Sequence, residues 1–159
     1  MNTIIVYATK YGCTEKCAER LKEQLIGKVD LLNLKTTKTI DLANYDKVII
    51  GGSIYMGRIQ KQVTEFCTKY MDALKKKKVG LFICCMRDGD LAEAELNSAF
   101  PQELCFHVVA REYFGGEFIL KKMNALDRFI TKRVAKTDKD ISSINENNIS
   151  RFIQMMSQS

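Results

Sequence analysis

Long apolar runs are missing from this sequence: no stretch approaches the roughly 20 apolar residues that a membrane-spanning helix needs. The opening run, Ile4 to Ala8, is too short for a secretory signal and passes into a charged segment. The six cysteines do not form the framework of a secreted disulfide scaffold, so the expected setting is a reducing cytoplasm, with peripheral contact at the cytoplasmic membrane left open. The single histidine, His107, falls in a strand-like pattern, which suits packing better than catalysis. The spaced triple glycine of a dinucleotide fold is absent, as is the Gly-Lys-Ser/Thr ending of a nucleoside-triphosphate loop. Linker-like composition and internal repeats are also absent, so residues 1–159 read as one domain.

What is present is a 46% hydrophobic chain with a formal charge of +6. The hydrophobic share supports a core without disulfide or metal staples, and the charge suits an anionic partner. Nucleic acid is not expected, because the basic residues are not interleaved with a recognition motif or stacking platform.

Apolar patterning alternates between strand and helix. Strands are expected at 3–8, Val29–Leu34, Lys47–Gly51, Val79–Cys85 and from Leu104 to Ala110 or slightly beyond. Helices are expected at 14–26, 60–74, 91–99 and from about Ile144 to Met155, with a short helix or turn at 41–45. Cys17, Leu21 and Leu25 recur on one helical face, and Lys75–Lys78 close the helix that precedes the fourth strand. Val48-Ile49-Ile50 is a continuous apolar run, typical of a parallel strand covered on both faces. The alternation specifies a three-layer α/β fold with a mostly parallel sheet, which binds ligands beyond the C-terminal strand ends.

Three strand-end loops carry the candidate site. The first is Thr9-Lys10-Tyr11-Gly12-Cys13-Thr14, where a buried strand empties into a hydroxyl-bearing turn and a helix start. Its free backbone N–H groups, the two threonine hydroxyls and the permissive Gly12 form an anion cradle suited to the phosphate of FMN. The plainer alternative is an ordinary turn with Thr14 as helix N-cap. The second loop, Gly51-Gly52-Ser53-Ile54-Tyr55-Met56-Gly57-Arg58, offers close backbone approach to a flat ring. Tyr55 is placed to stack, Ser53 to hydrogen-bond and Arg58 to attract an anion; the alternative has Ile54 and Tyr55 covering a helix and Arg58 simply solvated. The third, Cys84-Cys85-Met86-Arg87-Asp88-Gly89-Asp90, brings backbone toward the pyrimidine end of a flavin, or else Asp90 only caps the next helix. Cys84 and Cys85 should point to opposite sheet faces. No metal is expected on that pair, because no second pair has ligand spacing.

Taken together, these loops resemble the flavodoxin family. The first is similar to that family's Thr/Ser-x-Thr-Gly-x-Thr phosphate pattern, with Tyr11 where the pattern has a hydroxyl residue. Gly51 to Gly57 resembles the first ring-binding loop, with Tyr55 at its aromatic; residues 85–90 match the second ring-binding loop more loosely. The resemblance implies a five-stranded parallel sheet of order 2-1-3-4-5, a noncovalent FMN and flavin-centred chemistry without a catalytic side chain. Within the family, residues 1–14, Tyr45–Gly57, Gly115-Gly116-Glu117 and Leu126-Asp127-Arg128-Phe129 are most similar to menaquinone-dependent protoporphyrinogen dehydrogenases. Those relatives carry a long insertion after the fourth strand, where this chain is compact. The likeness therefore implies a redox protein, a quinone or a small-molecule substrate as partner. The alternatives are an electron carrier between proteins and a cofactor-free interaction domain.

The segment 117–134 sets Ile119, Met123, Leu126, Ile130 and Val134 at helical spacing, with Lys121, Lys122, Arg128, Lys132 and Arg133 supplying positive charge. Arg58, Arg128, Lys132 and Arg133 are thus candidates for contact with an anionic substrate or acidic lipid; the alternative is a core-facing helix with a solvated basic side.

Overall fold

The computed structural model describes residues 1–135 and 139–159. Five strands, β1 (Asn2–Tyr7), β2 (Lys28–Asn33), β3 (Lys47–Ser53), β4 (Lys78–Cys84) and β5 (Val108–Tyr113), form a parallel sheet in the order β2-β1-β3-β4-β5. The fold is a flavodoxin-like α/β sandwich.

Strand alternation sorts the core into two layers. Ile5, Tyr7, Ile49, Phe82 and Cys84 point to the face covered by α1 (Cys13–Gln24) and the C-terminal helix of Glu146–Ser157. Ile4, Val6, Val48, Ile50, Leu81, Ile83 and Cys85 point to the other face. There they meet α2 (Lys61–Lys69), α3 (Met71–Leu74), α4 (Gly89–Ala99) and α5 (Gln102–Cys105). Cys84 and Cys85 therefore take opposite faces, as adjacent strand residues must. On the first face Phe82 stacks on Phe114 with centroids 4.7 Å apart, and Phe152 meets Phe114 edge-on at 5.3 Å.

Several sequence expectations shift. The helix expected at 60–74 is two helices, because Tyr70 (φ −105°, ψ 16°) breaks the helical path, and its hydroxyl oxygen accepts the Ile40 amide at 3.0 Å. The last strand starts at Val108 and not at Leu104. Pro101 opens α5, and Leu104 is buried as a helical residue within the core of the second face. His107 consequently lies exposed in the turn before β5 and not within a strand. The helix expected from 91 begins at Gly89, so Asp90 sits inside its first turn and Asp88 occupies the N-cap position. Lys75–Lys77 form the expected turn, with Lys77 donating to the Tyr45 carbonyl, while Lys78 already belongs to β4.

The basic segment is not one continuous helix. It contains β6 (Glu117–Phe118), a 3-10 turn at Leu120–Lys122 and the start of α6 (Ala125–Ala135); beyond it β7 (Ile141–Ser142) pairs antiparallel with β6, and α7 (Glu146–Ser157) follows. Asn124 starts α6 by accepting the Asp127 amide at 2.8 Å. The face turned inward carries Met123, Asp127, Ile130 and Thr131, whereas Leu126 and Phe129 are 67% and 58% exposed. The expected stripe through Leu126 is therefore rotated, because Asp127 takes the inward position. The side chain of Val134 lies outside the described residues. Among the described residues no helix is long and apolar enough to cross a membrane.

Candidate functional site

The loops leaving β1, β3 and β4 lie side by side, because those strands are neighbours. The chain runs from β1 outward to β2 and then crosses to β3 on the far side, so the sheet's switch point falls between β1 and β3. A groove forms there. One part is lined by Thr9, Lys10, Tyr11, Cys13, Ser53 and Ile54, with Phe118, Met123 and Thr131 of the 117–131 segment on the opposite side. It continues past Tyr55 and Met86 toward Met56, Gly57 and Arg87.

In the first loop Gly12, and not Thr14, is the residue that caps α1; its φ of +95° is a left-handed conformation that favours glycine. The Thr9 hydroxyl oxygen accepts the Gly12 amide at 2.9 Å and fixes the turn. The amides of the first turn of α1 then have no intrahelical acceptor. Thr14, inside that turn, is fully buried, and its hydroxyl has no partner among the described residues. Such an orphan is unusual in a core and costs roughly 1–3 kcal/mol unless a ligand or water satisfies it. Lys122 reaches the same turn: its Nζ lies 3.8 Å from where a Cβ on Gly12 would stand. Residues 9–14 plus Lys122 thus combine open amides, an unpaired hydroxyl and a cation, a donor set matched to a phosphate monoester.

The second loop turns at Met56 (φ 51°) and Gly57 (φ 79°), with the Tyr55 and Arg58 backbones exchanging hydrogen bonds across it. Paired positive φ values are those of a tight hairpin turn. Ser53 is held by Gln60, whose Nε2 donates to the Ser53 hydroxyl oxygen at 2.6 Å and whose Oε1 accepts the Ser53 amide at 2.9 Å. That leaves the hydroxyl hydrogen of Ser53 to donate. Arg58 is exposed and does not line the groove. In the third loop Met86 and Arg87 line the groove, and Arg87 also pairs with Glu95 at 3.2 Å. Asp88, Gly89 and Asp90 are exposed and lie outside the groove lining, because α4 begins early and carries them away.

Asp127 was not among the residues expected at the site, yet it organises one side of it. Its side chain is nearly buried and accepts hydrogen bonds from the hydroxyls of both Tyr11 and Tyr55. It also pairs with Lys10 Nζ at 2.9 Å, and that ammonium stands 3.4 Å from the centre of the Tyr55 ring. One carboxylate of α6 therefore ties the first loop to the second. Only the likeness of Leu126–Phe129 pointed toward this stretch, since an acid on an amphipathic helix is ordinarily read as solvated. Lys122 likewise carries no local signal beyond being one charge on a basic face.

The remaining basic candidates divide. Arg128 is engaged internally, donating to the carbonyls of Leu120 at 3.0 Å and Met123 at 3.1 Å. Lys132 and Arg133 are exposed, with the Arg133 guanidinium 5.7 Å from the Phe129 ring centre.

A second tie holds β6 to α1: both Glu117 carboxylate oxygens accept from Lys16 Nζ at 2.9 Å, and Ser142 adds a donor at 3.0 Å. Burial works to raise the Glu117 pKa, but the hydrogen bonds of Lys16 and Ser142 and the charges of Lys16 and Lys122 hold it below its ordinary 4.5. A carboxyl depressed on folding stabilises the fold above its unfolded pKa and loses that contribution as pH falls through the lowered value. Hydrogen exchange in β6 and β7 is therefore expected to speed up as pH falls below about 4.5, after correction for intrinsic exchange. The Glu117→Gln variant should show faster exchange already at neutral pH and little of that acid dependence.

A family model described as a flavodoxin domain matches residues 4–145. Among solved structures, the chain is similar to two-electron reduced flavodoxin from Megasphaera elsdenii, at 18% identity, 99% coverage of both chains and a TM-score of 0.60. It is also similar to rubredoxin oxygen:oxidoreductase from Desulfovibrio gigas, at 18% identity and a TM-score of 0.56, covering 99% of this chain and 37% of that one. The flavodiiron core of Flv1 from Synechocystis gives 18% identity and a TM-score of 0.50, covering 72% of this chain and 31% of that one. The chain thus spans only about a third of the length of the latter two. No curated protein matches the sequence. With nearly its whole length matched and its sheet in the order β2-β1-β3-β4-β5, the chain belongs to the flavodoxin domain family.

Proposed function

We propose that this chain is an FMN-binding redox flavoprotein that passes electrons to and from a partner at the groove. The observation that carries the reading is the buried, unpartnered Thr14 hydroxyl at the open start of α1, with Lys122 beside it. Thr14, the α1 amides and Lys122 would hold the phosphate. Ser53, Ile54, Tyr55 and Met86 would bound the ring, and Tyr55 offers it a stacking face. FMN when bound supplies the redox chemistry, so no side chain of the chain need act as nucleophile. The protein's share is to fix the ring, limit water and set the local charge. Lys10 and Arg87 line the groove as members of ion pairs, with Asp127 and Glu95, so each cation there is balanced by a carboxylate.

The test compares FMN with riboflavin, which has the same ring but no phosphate, by titration of the purified chain and washing. FMN should be retained and riboflavin lost. Thr14→Val should weaken FMN by roughly tenfold, the value of one charge-assisted hydrogen bond, and leave riboflavin unchanged. Equal retention of the two flavins, or no retention of either by folded protein, overturns the reading.

A second reading, oxidation of a protoporphyrinogen with transfer to a quinone, draws on the exposed surface of the 117–133 segment. Met56, Leu126 and Phe129 are exposed apolar side chains, and Lys121, Lys132 and Arg133 are exposed cations. An apolar substrate bearing carboxylates, or an acidic lipid surface, would match that composition. Replacing Lys132 and Arg133 together with glutamate should lower binding to vesicles containing anionic lipid and lower turnover of the porphyrinogen. Unchanged binding and turnover would leave the electron carrier as the better reading.

A further inference from the structure

Beneath the first loop, three thiols converge that no spacing rule would pair. Cys13 opens α1, Cys17 lies one turn later on the same face, and Cys84 ends β4, 67 residues further on. Their sulfur atoms all lie within 4.8 Å of one another, with Cys17 and Cys84 at 3.6 Å. All three are buried, at 8%, 0% and 2% exposure. We propose that Cys13, Cys17 and Cys84 form a three-sulfur site for a soft, singly charged d10 cation, with copper(I) as the matching ion.

The geometry is close to what such an ion requires. A metal–sulfur bond of about 2.3 Å in a trigonal plane sets the sulfurs about 4.0 Å apart, so the cluster needs movements of well under an ångström. The donor set also selects the metal. Zinc takes four ligands in structural sites, and no fourth His, Cys, Asp or Glu joins this group among the described residues. An all-thiolate set favours a soft cation over magnesium or calcium.

Anionic sulfur is tolerated here. Cys13 stands in the first turn of α1, where the helix dipole favours negative charge; the nearby Lys16 ammonium and Glu117 carboxylate, paired with each other, act on it in opposite directions. The Cys17 and Cys84 thiols donate toward Cys13 and hold its pKa well below the ordinary thiol value; those of Cys17 and Cys84 rise in exchange. Each thiol that bonds the metal releases its proton to solvent. Access is through the groove, since Cys13 and Cys84 both line it. The other three cysteines stand apart: Cys85 faces the opposite layer and contacts the Arg87 carbonyl at 3.5 Å, and Cys67 and Cys105 lie on that same side.

The experiment uses the reduced, flavin-free chain under anaerobic conditions, titrated with copper(I) against a chromogenic copper(I) chelator. Without flavin, its result does not depend on the function proposed above. The expected result is one copper per chain held against the chelator, with X-ray absorption showing three sulfurs at about 2.3 Å. Cys105→Ala should retain that copper and Cys84→Ala should lose it. No retention by the wild-type chain, a two-sulfur spectrum, or retention by Cys84→Ala overturns the proposal. The wild-type spectrum decides the matter even if the Cys84 variant folds poorly.

Discussion

Replacing Asp127 with alanine is expected to lower the stability of the chain by about 3 kcal/mol and to free the 117–135 segment from the loops it covers. The carboxylate is the common acceptor of Tyr11, Tyr55 and Lys10, so its loss strands three donors at once. The magnitude sits at the lower end for a broken buried pair, because the Lys10 side chain is 37% exposed and can rehydrate. Urea unfolding gives the total, and hydrogen exchange or limited proteolysis locates the loosening. The fastest opening should map to α6 and the second loop, with β1 to β4 unchanged.

Asp127→Asn separates charge from shape. The amide oxygen still accepts from a tyrosine, but the negative charge beside the candidate phosphate cradle is gone. FMN binding is expected to tighten by several-fold, since two like charges at an effective dielectric near 20 repel by on the order of 1 kcal/mol or more across such a site. Riboflavin binding should hardly change. Equal tightening for both flavins would mean that Asp127 acts by gating the groove and not through its charge.

Gly51→Ala is expected to be about as costly, for a reason confined to the core. A Cβ at position 51 would stand 2.1 Å from Cζ of Phe82, and two further ring carbons lie at 2.3 and 2.5 Å. Gly51 and Phe82 are register partners in β3 and β4, and Phe82 is fully buried in contact with Phe114 and Phe152. The ring cannot swing away without disturbing both. Overpacking of this kind costs about 3 kcal/mol, which for a chain of this length corresponds to roughly 10 °C in thermal midpoint. Phe82→Leu should be destabilising alone yet recover part of the loss when combined with Gly51→Ala. A double mutant whose losses simply add would show that the clash is not the cause.

The same residues show how far the sequence reaches. The apolar runs Ile4–Ala8 and Val48–Ile50 read as buried strands, and their alternation with helical segments led to the parallel sandwich that was found. The shape of the first loop was legible for the same reason: a strand end, a glycine and a helix start are local, and local geometry follows local sequence. Boundaries were less so. Leu104 is apolar and β-compatible, but Pro101 and the second-face core draw it into α5.

What only the tertiary structure decided is what distant segments bring to those loops. Asp127 carries no local signal for facing inward; it does so because the hydroxyls of Tyr11 and Tyr55, more than 70 residues earlier, meet it there. Cys84 adjoins Cys85 in sequence, but strand pleating separates that pair and the packing of α1 supplies Cys13 and Cys17 instead. Periodicity records which face of an element is apolar. Which polar group or thiol that face meets depends on contacts across the sheet, and these form only when the chain is folded.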